Sequence, residues 1–217
     1  MRNKYLKEMP NILIIIIMFI VGFVVYSHLP DKVPTHWDFR GEVNGYSGKF
    51  GGAFMFPFMT LGIYVMLLVI PLIDPRKENY VKFAGAFDKI RFILTGFFAI
   101  LYFATLGAAL GYLKDISSVV IFCISALFMV LGNYFGKIRQ NYFVGIRVPW
   151  TIADEDVWNR THRLAGKMWV AAGALGILGV FMPKSVGSFI FVIAISLGSI
   201  IPIVYSYIIF KSKQKQA

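Results

Sequence analysis

The chain carries little charge for its length, and it has a single cysteine. Charged residues make up 15% of its 217 residues, whereas hydrophobic residues make up 58%. A soluble domain of this size usually carries about 25% charged residues. The apolar residues stand in long uncharged blocks and not in amphipathic stripes, so we predict an integral membrane protein. Cys123 stands alone, which excludes an internal disulfide.

Acidic residues are scarce as well. The 11 Asp and Glu stand against 22 Lys and Arg, which gives a net charge of +11. In a soluble protein this excess would indicate a nucleic-acid partner, but in a membrane protein Lys and Arg gather on cytoplasmic loops. We therefore predict no direct contact with nucleic acid. The apolar blocks contain almost no ionisable residues, which argues against an ion-coupled pump.

Six apolar blocks reach the length of about 17 to 25 residues that a helix needs to cross a bilayer. A segment in lipid must satisfy its own backbone hydrogen bonds, so each block should be helical. We expect an all-α membrane protein, a six-helix transmembrane bundle with a small extracytoplasmic loop and a cytoplasmic amphipathic helix. The predicted spans are Asn11–Leu29, Gly51–Ile73, Ile90–Tyr112, Ile116–Phe135, Leu164–Phe181 and Val186–Phe210.

Several local features refine this bundle. The first block ends without the small-x-small pattern of a signal-peptidase site, so we expect an uncleaved first helix. Pro57 and Pro202 predict kinks. Two Gly-x-x-x-Gly pairs, which begin at Gly107 and Gly132, predict close helix packing and leave a homo-oligomer open. The chain divides into two three-span halves, residues 1–112 and 113–217.

The distribution of Lys and Arg predicts the orientation. The N-terminus, the C-terminus and two of the loops hold 17 of the 22 basic residues, and the loops on the other side hold 5. By the positive-inside rule, both termini lie in the cytoplasm of a multi-pass cell membrane protein.

The extracytoplasmic loop, residues 33–49, is too particular in sequence to be a mere connector. Residues Thr35–Phe39 alternate as a strand does, and Asn44-Gly45 is a strong turn pair. We predict a short hairpin cap with its aromatic side chains at the lipid interface.

A metal site is an alternative interpretation of the same region, because imidazole and carboxylate suit zinc or a similar cation. The spacing of these groups matches no closed ligand pattern, so we predict no metal and no cofactor. The residues concerned are His28, Asp31, His36 and Asp38.

The second particular region is cytoplasmic. Thr151 is a good helix N-cap, with Asp154 three residues on, so we predict a helix that starts near Ile152 and continues into the fifth span. Trp158 and His162 lie four residues apart on one face of that helix, where a soluble partner could bind. The alternative is an interfacial helix whose aromatic and basic residues face lipid headgroups.

The stretch from Gly132 to Gly166 closely resembles the signature of the SdpI family of multi-pass bacterial membrane proteins. We call this stretch the signature segment. The extracytoplasmic loop is similar to the domain of unknown function that often precedes it, through Pro34, His36, Trp37, Gly41 and Lys49, although that pattern often has Asp where this chain has Asn44. The signature residues are Asn133, Asn141, Gly145, Arg147, Pro149, Trp150, Thr151, Trp158, Thr161, His162 and Arg163.

The resemblance implies a protein that protects the cell from a secreted membrane-active peptide toxin. It also implies inward signalling, in which the cytoplasmic signature holds a transcriptional repressor at the membrane. The expected toxin-facing residues are His36, Trp37, Asp38, Gly41, Asn44 and Lys49.

Two other functions stay open from the residues. A transporter or permease component would use broken helices, for which Pro57 and Pro202 are the only hints. An intramembrane enzyme could use His162 with the acidic stretch Asp154–Asp156. No nucleophile–base pair accompanies these residues, so we predict no catalytic residue and no enzyme.

Overall fold

A computed structural model describes residues 2–38 and 42–215, and for residues 2–5 the backbone alone. Long helices dominate it, with one hairpin and one short 3₁₀ turn, Tyr26–His28, between the first helix and the hairpin. The strands are β1 (Val33–Trp37) and β2 (Val43–Ser47). The helices are α1 (Arg2–Val25), α2 (Lys49–Ile73), α3 (Lys77–Lys82), α4 (Ala84–Ala109), α5 (Ile116–Phe135), α6 (Pro149–Ala153), α7 (Glu155–Gly179) and α8 (Lys184–Gln214).

Among the described residues, five helices are long and apolar enough to cross a membrane, and each overlaps one of the six predicted spans. Helix α5 has the predicted bounds, whereas α4 begins and ends earlier than predicted. It ends at Ala109 because Gly111 takes a φ of +79°, and the Tyr112 N–H then donates to the Gly107 carbonyl at 2.8 Å. The five segments are Leu6–His28, Lys49–Ile73, Ala84–Ala109, Ile116–Phe135 and Lys184–Gln214.

The remaining predicted span is the larger part of α7. This helix is not among the five because its first turns are polar and charged, from Glu155 to Lys167. Its later turns are apolar and rich in small residues.

Helices α1, α2 and α4 pack together at the end of the bundle that carries the hairpin. We call this end the hairpin end. The Tyr102 hydroxyl lies 3.1 Å from the Met18 carbonyl oxygen and 2.9 Å from the Ala53 carbonyl oxygen. Fully buried Val33 fixes β1 to α2, and a Cβ added at Gly52 would lie only 2.5 Å from its side chain. The hairpin is therefore seated on the helices.

An ionic cluster joins the same three helices at the opposite end of the bundle. We call this the signature end, because the loop of the signature segment lies there. Buried Arg91 on α4 donates to Glu8 of α1 through Nε at 3.2 Å and to Asp88 at 2.8 Å. The Tyr64 hydroxyl of α2 donates to Glu8 at 3.0 Å. A charge inside the bundle needs such partners, because an unpaired ion in a low dielectric is costly.

Helix α7 runs antiparallel to α5 along most of the length of that helix. A Cβ added at Gly166 would lie 2.7 Å from the Gly132 carbonyl near one end, and one added at Gly173 would lie 2.7 Å from the Met129 nitrogen further along. Helix α8 packs against both α5 and α7, and Lys184 at its start pairs with Asp115, the N-cap of α5, at 3.1 Å. Small residues let these backbones approach closely.

The two Gly-x-x-x-Gly pairs behave differently. Gly132 makes the predicted helix contact, with Gly166 of α7 against it. Gly107 and Gly111 do not, because Gly111 lies beyond the end of α4 and the atom nearest to a Cβ at Gly107 belongs to Leu113, 3.6 Å away.

The predicted hairpin is present, but its predicted turn is wrong. Strands β1 and β2 pair antiparallel, and Asn44 and Gly45 lie inside β2, where Gly45 faces His36 across an irregular register. The chain reverses between Trp37 and Val43, around Asp38 and Glu42. The Glu42 N–H donates to Asp38 Oδ1 and the Asp38 N–H to the Glu42 carbonyl, both at 2.9 Å. This turn left Asn44-Gly45 free to pair as strand.

The glycine contacts of α7 predict a stability difference. We expect Gly173→Ala to lower the free energy of unfolding by about 1 to 3 kcal/mol, because overpacked backbones must separate. Gly96→Ala on α4 is the matched control, since nothing lies within 4 Å of a Cβ there. It should leave stability unchanged or raise it slightly. Thermal unfolding of both variants in detergent measures the difference, and equal melting temperatures would contradict close α5–α7 packing.

Candidate functional site

A cavity of about 360 Å³ lies beneath the hairpin, between β1 and the helices. Its walls are mainly apolar and come from α2, α4, α5 and α8. The Ser117 hydroxyl is buried there and has no hydrogen-bond partner within the described residues. The lining residues are Thr35, His36, Trp37, Asp38, Phe56, Leu101, Thr105, Ile116, Ser117, Val120, Ile121, Ile124 and Phe191.

The hairpin residues that suggested a metal have other partners. His36 Nδ1 contacts Asn44 Oδ1 across the strands, Asp31 pairs with Lys49 at 3.5 Å, and His28 lies 3.3 Å from the Ser27 hydroxyl. Across residues 2–38 and 42–215, no three His, Cys, Asp or Glu side chains converge on a common point. Of the expected toxin-facing residues, His36, Trp37 and Asp38 line the cavity. Gly41 lies outside the described residues.

At the signature end, the fully buried Asn141 side chain folds the loop after α5 around itself. Its Nδ2 donates to the Arg139 carbonyl at 2.8 Å and to the Val144 carbonyl at 3.0 Å. Its Oδ1 accepts from the N–H groups of Phe143 at 2.9 Å and Val144 at 2.7 Å. One amide therefore satisfies four backbone groups, which is the full capacity of its two donors and two lone pairs.

A short loop and helix from the other half of the chain clamp this turn. The buried Asp74 carboxylate accepts from the Tyr142 N–H at 3.0 Å and from the Tyr80 hydroxyl at 2.9 Å. The same hydroxyl lies 3.2 Å from Asn141 Oδ1. Burial and the hydrogen bond to Asp74 raise the pKa of Tyr80 above its usual range, so this phenol stays protonated as the donor.

Two amides and one guanidinium complete the clamp. Gln140 Nε2 donates to the carbonyls of Thr151 at 2.8 Å and Ile152 at 3.0 Å. Arg76 reaches the same Ile152 carbonyl at 3.1 Å, and Asn79 donates to the Gln140 carbonyl at 2.8 Å. These contacts join α3, the signature loop and α6.

His162 is fully buried and uses both ring nitrogens. The Ile146 N–H donates to Nε2 at 3.0 Å, so Nδ1 carries the hydrogen that is donated to the Trp158 carbonyl at 2.8 Å. Gly145 has a φ of +110°, and a Cβ there would overlap the His162 ring. Gly145 is thus required by conformation and by space.

Trp158 and His162 share one helix face, as predicted, and their rings stack at 4.1 Å. Their expected exposure to a soluble partner is wrong, because both are fully buried. The Trp158 Nε1 donates to the Ile138 carbonyl at 2.9 Å, which anchors the loop to α7. Thr161 is fully buried as well. These residues form the core under the loop.

The predicted continuous helix from Ile152 is also wrong. Pro149–Ala153 forms the separate helix α6, and α7 starts at Glu155 with Asp154 as its N-cap, whose carboxylate accepts from the Val157 N–H at 2.9 Å. Thr151 Oγ1 instead accepts from the Val148 N–H at 3.1 Å and donates to the Ile146 carbonyl at 2.7 Å. Threonine closes the turn into α6, and aspartate caps the longer helix.

The end of α8 is tied to the same region. Trp150 Nε1 donates to the Ser206 hydroxyl, and its ring meets Tyr207 edge-on at 5.3 Å. Lys213 pairs with Asp154 at 2.7 Å, and this hydrogen bond lowers the pKa of Asp154. The signature segment thus contacts α3, α5, α7 and α8.

Two segments of the chain match models of known protein families. Residues 137–206 match the model of the SdpI/YfhL protein family, and residues 13–61 match that of a domain of unknown function, DUF1648. The "Immunity protein SdpI" of Bacillus subtilis (strain 168) is 24% identical over 206 residues, which cover 94% of this chain and 96% of that protein. No solved structure matches the chain.

With its long apolar helices and its similarity to an SdpI immunity protein, this chain is a multi-pass membrane protein. Several signature residues lie at the surface and not in the core. Arg147 is exposed and donates to the Tyr142 carbonyl at 2.9 Å, with Tyr142 and Phe143 39% and 36% exposed beside it. Asn133, Pro149 and Arg163 are exposed as well.

Sequence reasoning missed Asp74, Tyr80 and Gln140, although they hold the signature loop in place. Each stands outside the quoted signature or among ordinary loop residues, and nothing in the local pattern relates residue 74 to residue 142. The one available signal was composition: an Asp at the end of an apolar helix, Leu72-Ile73-Asp74, is an acid placed next to lipid.

The burial of His162 predicts a pH dependence of stability. Burial lowers the pKa of His162 to about 4 from its usual 6.5, although the hydrogen bond to Trp158 opposes this. Between these values the unfolded chain binds the proton and the folded chain does not. Acidification through this window should therefore lower the free energy of unfolding, by up to about 3 kcal/mol.

Tryptophan fluorescence during chemical unfolding in detergent, from pH 7 to pH 4.5, measures how the free energy of unfolding changes with pH. His162→Gln, which keeps hydrogen-bonding capacity and does not titrate, is the matched control and should give a flatter profile. Asp154 titrates below this window, because its pKa is lowered. Identical slopes for the two proteins would contradict the role given to His162.

Proposed function

We propose that this protein is a membrane immunity protein that protects the cell from a secreted membrane-active peptide toxin. We further propose that it signals inward by holding a transcriptional repressor at the membrane. The similarity to the immunity protein SdpI supports the first part, since it extends over 94% of the chain. The cavity under the hairpin is the observation that carries a peptide-binding role.

The cavity suits an apolar side chain of a peptide. Its walls are aliphatic and aromatic, and its rim carries His36, Trp37 and Asp38. Ser117 offers a buried hydroxyl without a partner among the described residues. Pockets of this kind bind through apolar burial and gain specificity from a few polar groups. The toxin is expected to enter from the hairpin side.

At the signature end, the exposed group Tyr142, Phe143 and Arg147 replaces Trp158 and His162 as the surface for a soluble partner. Aromatic and arginine side chains are favoured as interface anchors. Both nitrogens of His162 are engaged in the core, which supports a structural role for this residue and a protein without catalysis.

Two helices touch both ends. Helix α5 contributes Val120 and Ile124 to the cavity and carries the signature loop from its far end. Helix α8 contributes Phe191 to the cavity and Ser206 to the hydrogen bond with Trp150. A change at the cavity can therefore reach the signature loop through rigid elements.

We also propose six crossings with both termini in the cytoplasm, arranged as three-span halves 1–112 and 113–217. Helix α7 runs beside the spanning helix α5 from Gly166 to Gly176, in the opposite direction, so it passes through the same layer. The excess of basic residues at the signature end supports a cytoplasmic position for that end.

Thiol labelling tests the α7 crossing and the orientation together. In a Cys123→Ser background, exposed Ser185 and exposed Glu155 are each replaced by cysteine. Ser185→Cys should react with an impermeant reagent in intact cells, and Glu155→Cys only after permeabilisation. The parent without cysteine is the control. Reaction of both in intact cells would exclude a crossing by α7, and a reversed pattern would invert the orientation.

The immunity function predicts that filling the cavity removes protection. Val120→Phe should make cells as sensitive to a panel of secreted membrane-active peptides as a deletion strain, because a larger ring occupies the site. Val130→Phe, on the same helix and 37% exposed outside the cavity, is the matched control and should protect normally. Survival at matched membrane levels is the measurement.

Inward signalling is separated from protection in the same cells. Arg147→Ala should preserve survival but remove the transcript changes that follow peptide challenge, whereas exposed Lys82→Ala should keep both. A deletion strain as resistant as its parent would overturn immunity. Loss of both outputs together in Arg147→Ala and Val120→Phe, at matched levels, would overturn the two-surface model.

A further inference from the structure

A second and larger groove, of about 910 Å³, lies between α5, α7 and α8 at the signature end. It is separate from the hairpin cavity and shares no lining residue with it. The lining residues are Gly132, Asn133, Gly136, Lys137, Arg160, Arg163, Leu164, Gly166, Lys167, Val170, Ala171 and Tyr205.

The rim of this groove is cationic. Lys137, Arg160, Arg163 and Lys167 are all exposed, and the lining contains no acidic residue. Asp156 lies 3.8 Å from Arg160 but only 3.5 Å from Lys213. Among the described side chains, Arg163 and Lys167 make no ion pair. The groove therefore presents more positive charge than the protein itself neutralises.

The cations follow the groove along α7. Arg163 and Lys167 are four residues apart, which places them on one helix face and about 6 Å apart along the axis. Lys137 stands across from them, just after the end of α5. An anion that entered here would meet charges at more than one depth.

Beyond the cations, the groove becomes apolar. Val170 and Ala171 follow Lys167 on α7, and Val170 packs directly against Gly132 of α5, which forms the base of the groove there. Tyr205 closes the third side from α8. An extended hydrocarbon chain could lie against this wall with its polar end at the rim.

We propose that this groove binds one anionic phospholipid, with the phosphate between Lys137, Arg163 and Lys167 and an acyl chain against Val170 and Ala171. Basic pockets between membrane helices recognise anionic headgroups in this way. A free phosphate would leave the apolar wall unused, and an acidic protein could not follow the groove into the membrane layer. The proposal is independent of the toxin and of the orientation, because it requires only a leaflet with anionic lipid.

Native mass spectrometry of the full-length protein in neutral detergent tests this site. The probes are phosphatidylglycerol and phosphatidylcholine with identical acyl chains. Wild type should retain one phosphatidylglycerol in preference to phosphatidylcholine. Arg163→Gln with Lys167→Gln should weaken phosphatidylglycerol binding about tenfold or more, since each basic residue at a membrane surface contributes to anionic-lipid affinity.

Two further variants separate charge from fold. Lys82→Gln with Lys211→Gln removes the same charge from exposed positions outside the groove, and should bind as wild type does. Ala171→Leu, at an exposed helical position, keeps every charge but fills the apolar wall, and should also weaken binding. Equal losses in both charge variants, or no loss in the groove variants, would overturn the proposal.

The competitor glycerol 1-phosphate distinguishes a headgroup from a lipid. It should displace phosphatidylglycerol poorly, because it lacks the acyl chain. If it displaces the lipid at equal concentration, the groove binds phosphate alone. If the groove variants keep the lipid but lose a bound acidic protein, the groove is a protein interface. Either result rejects the lipid site.

Discussion

Buried hydrogen-bonding groups must find partners inside the protein, and this requirement fixes the signature end of the molecule. Asn141 is buried at the centre of a turn, and its amide satisfies four backbone groups. A buried polar group without a partner costs free energy, so few other loop conformations could bury this residue. Asp74 and Tyr80 then hold the turn against α3. These buried hydrogen bonds hold the loop in one conformation.

The residues of the signature segment divide between the core and the surface. Gly145, Trp158 and His162 form one unit, in which glycine makes room for the imidazole and the imidazole accepts from the backbone of Ile146. Changing these residues would disturb folding before it disturbed a partner. Arg147, Tyr142 and Phe143 lie on the outside of the same turn. A short sequence motif can thus combine a folding device with an exposed surface.

The two ends of the bundle have different physical characters. The hairpin end encloses an apolar cavity under a small sheet, and the signature end combines a hydrogen-bonded loop with a cationic groove. The glycine contacts between α5 and α7 bring the backbones close between these ends. Closely packed helices move as rigid bodies, so the two ends are mechanically connected. The proposal of toxin protection with inward signalling depends on this connection.

The sequence by itself determined the properties that depend on composition and on local pattern. Five of the predicted spans overlap long apolar helices, α5 with the predicted bounds, and the hairpin is where alternation predicted it. The Trp158–His162 pair follows from helical periodicity alone. The SdpI resemblance was likewise visible in residues close together along the chain.

Only the tertiary structure decided what depends on residues far apart in sequence. The predicted turn at Asn44-Gly45 lost to a reversal that Asp38 and Glu42 close by hydrogen bonds, and Gly45 pairs with His36 of β1 instead. The cap moved from Thr151 to Asp154, where Lys213 of α8 pairs with the carboxylate. Burial of Trp158 likewise required the loop that Asp74 holds, which no local pattern encodes. Long-range contacts choose among local alternatives of nearly equal energy, and a single sequence does not display those contacts.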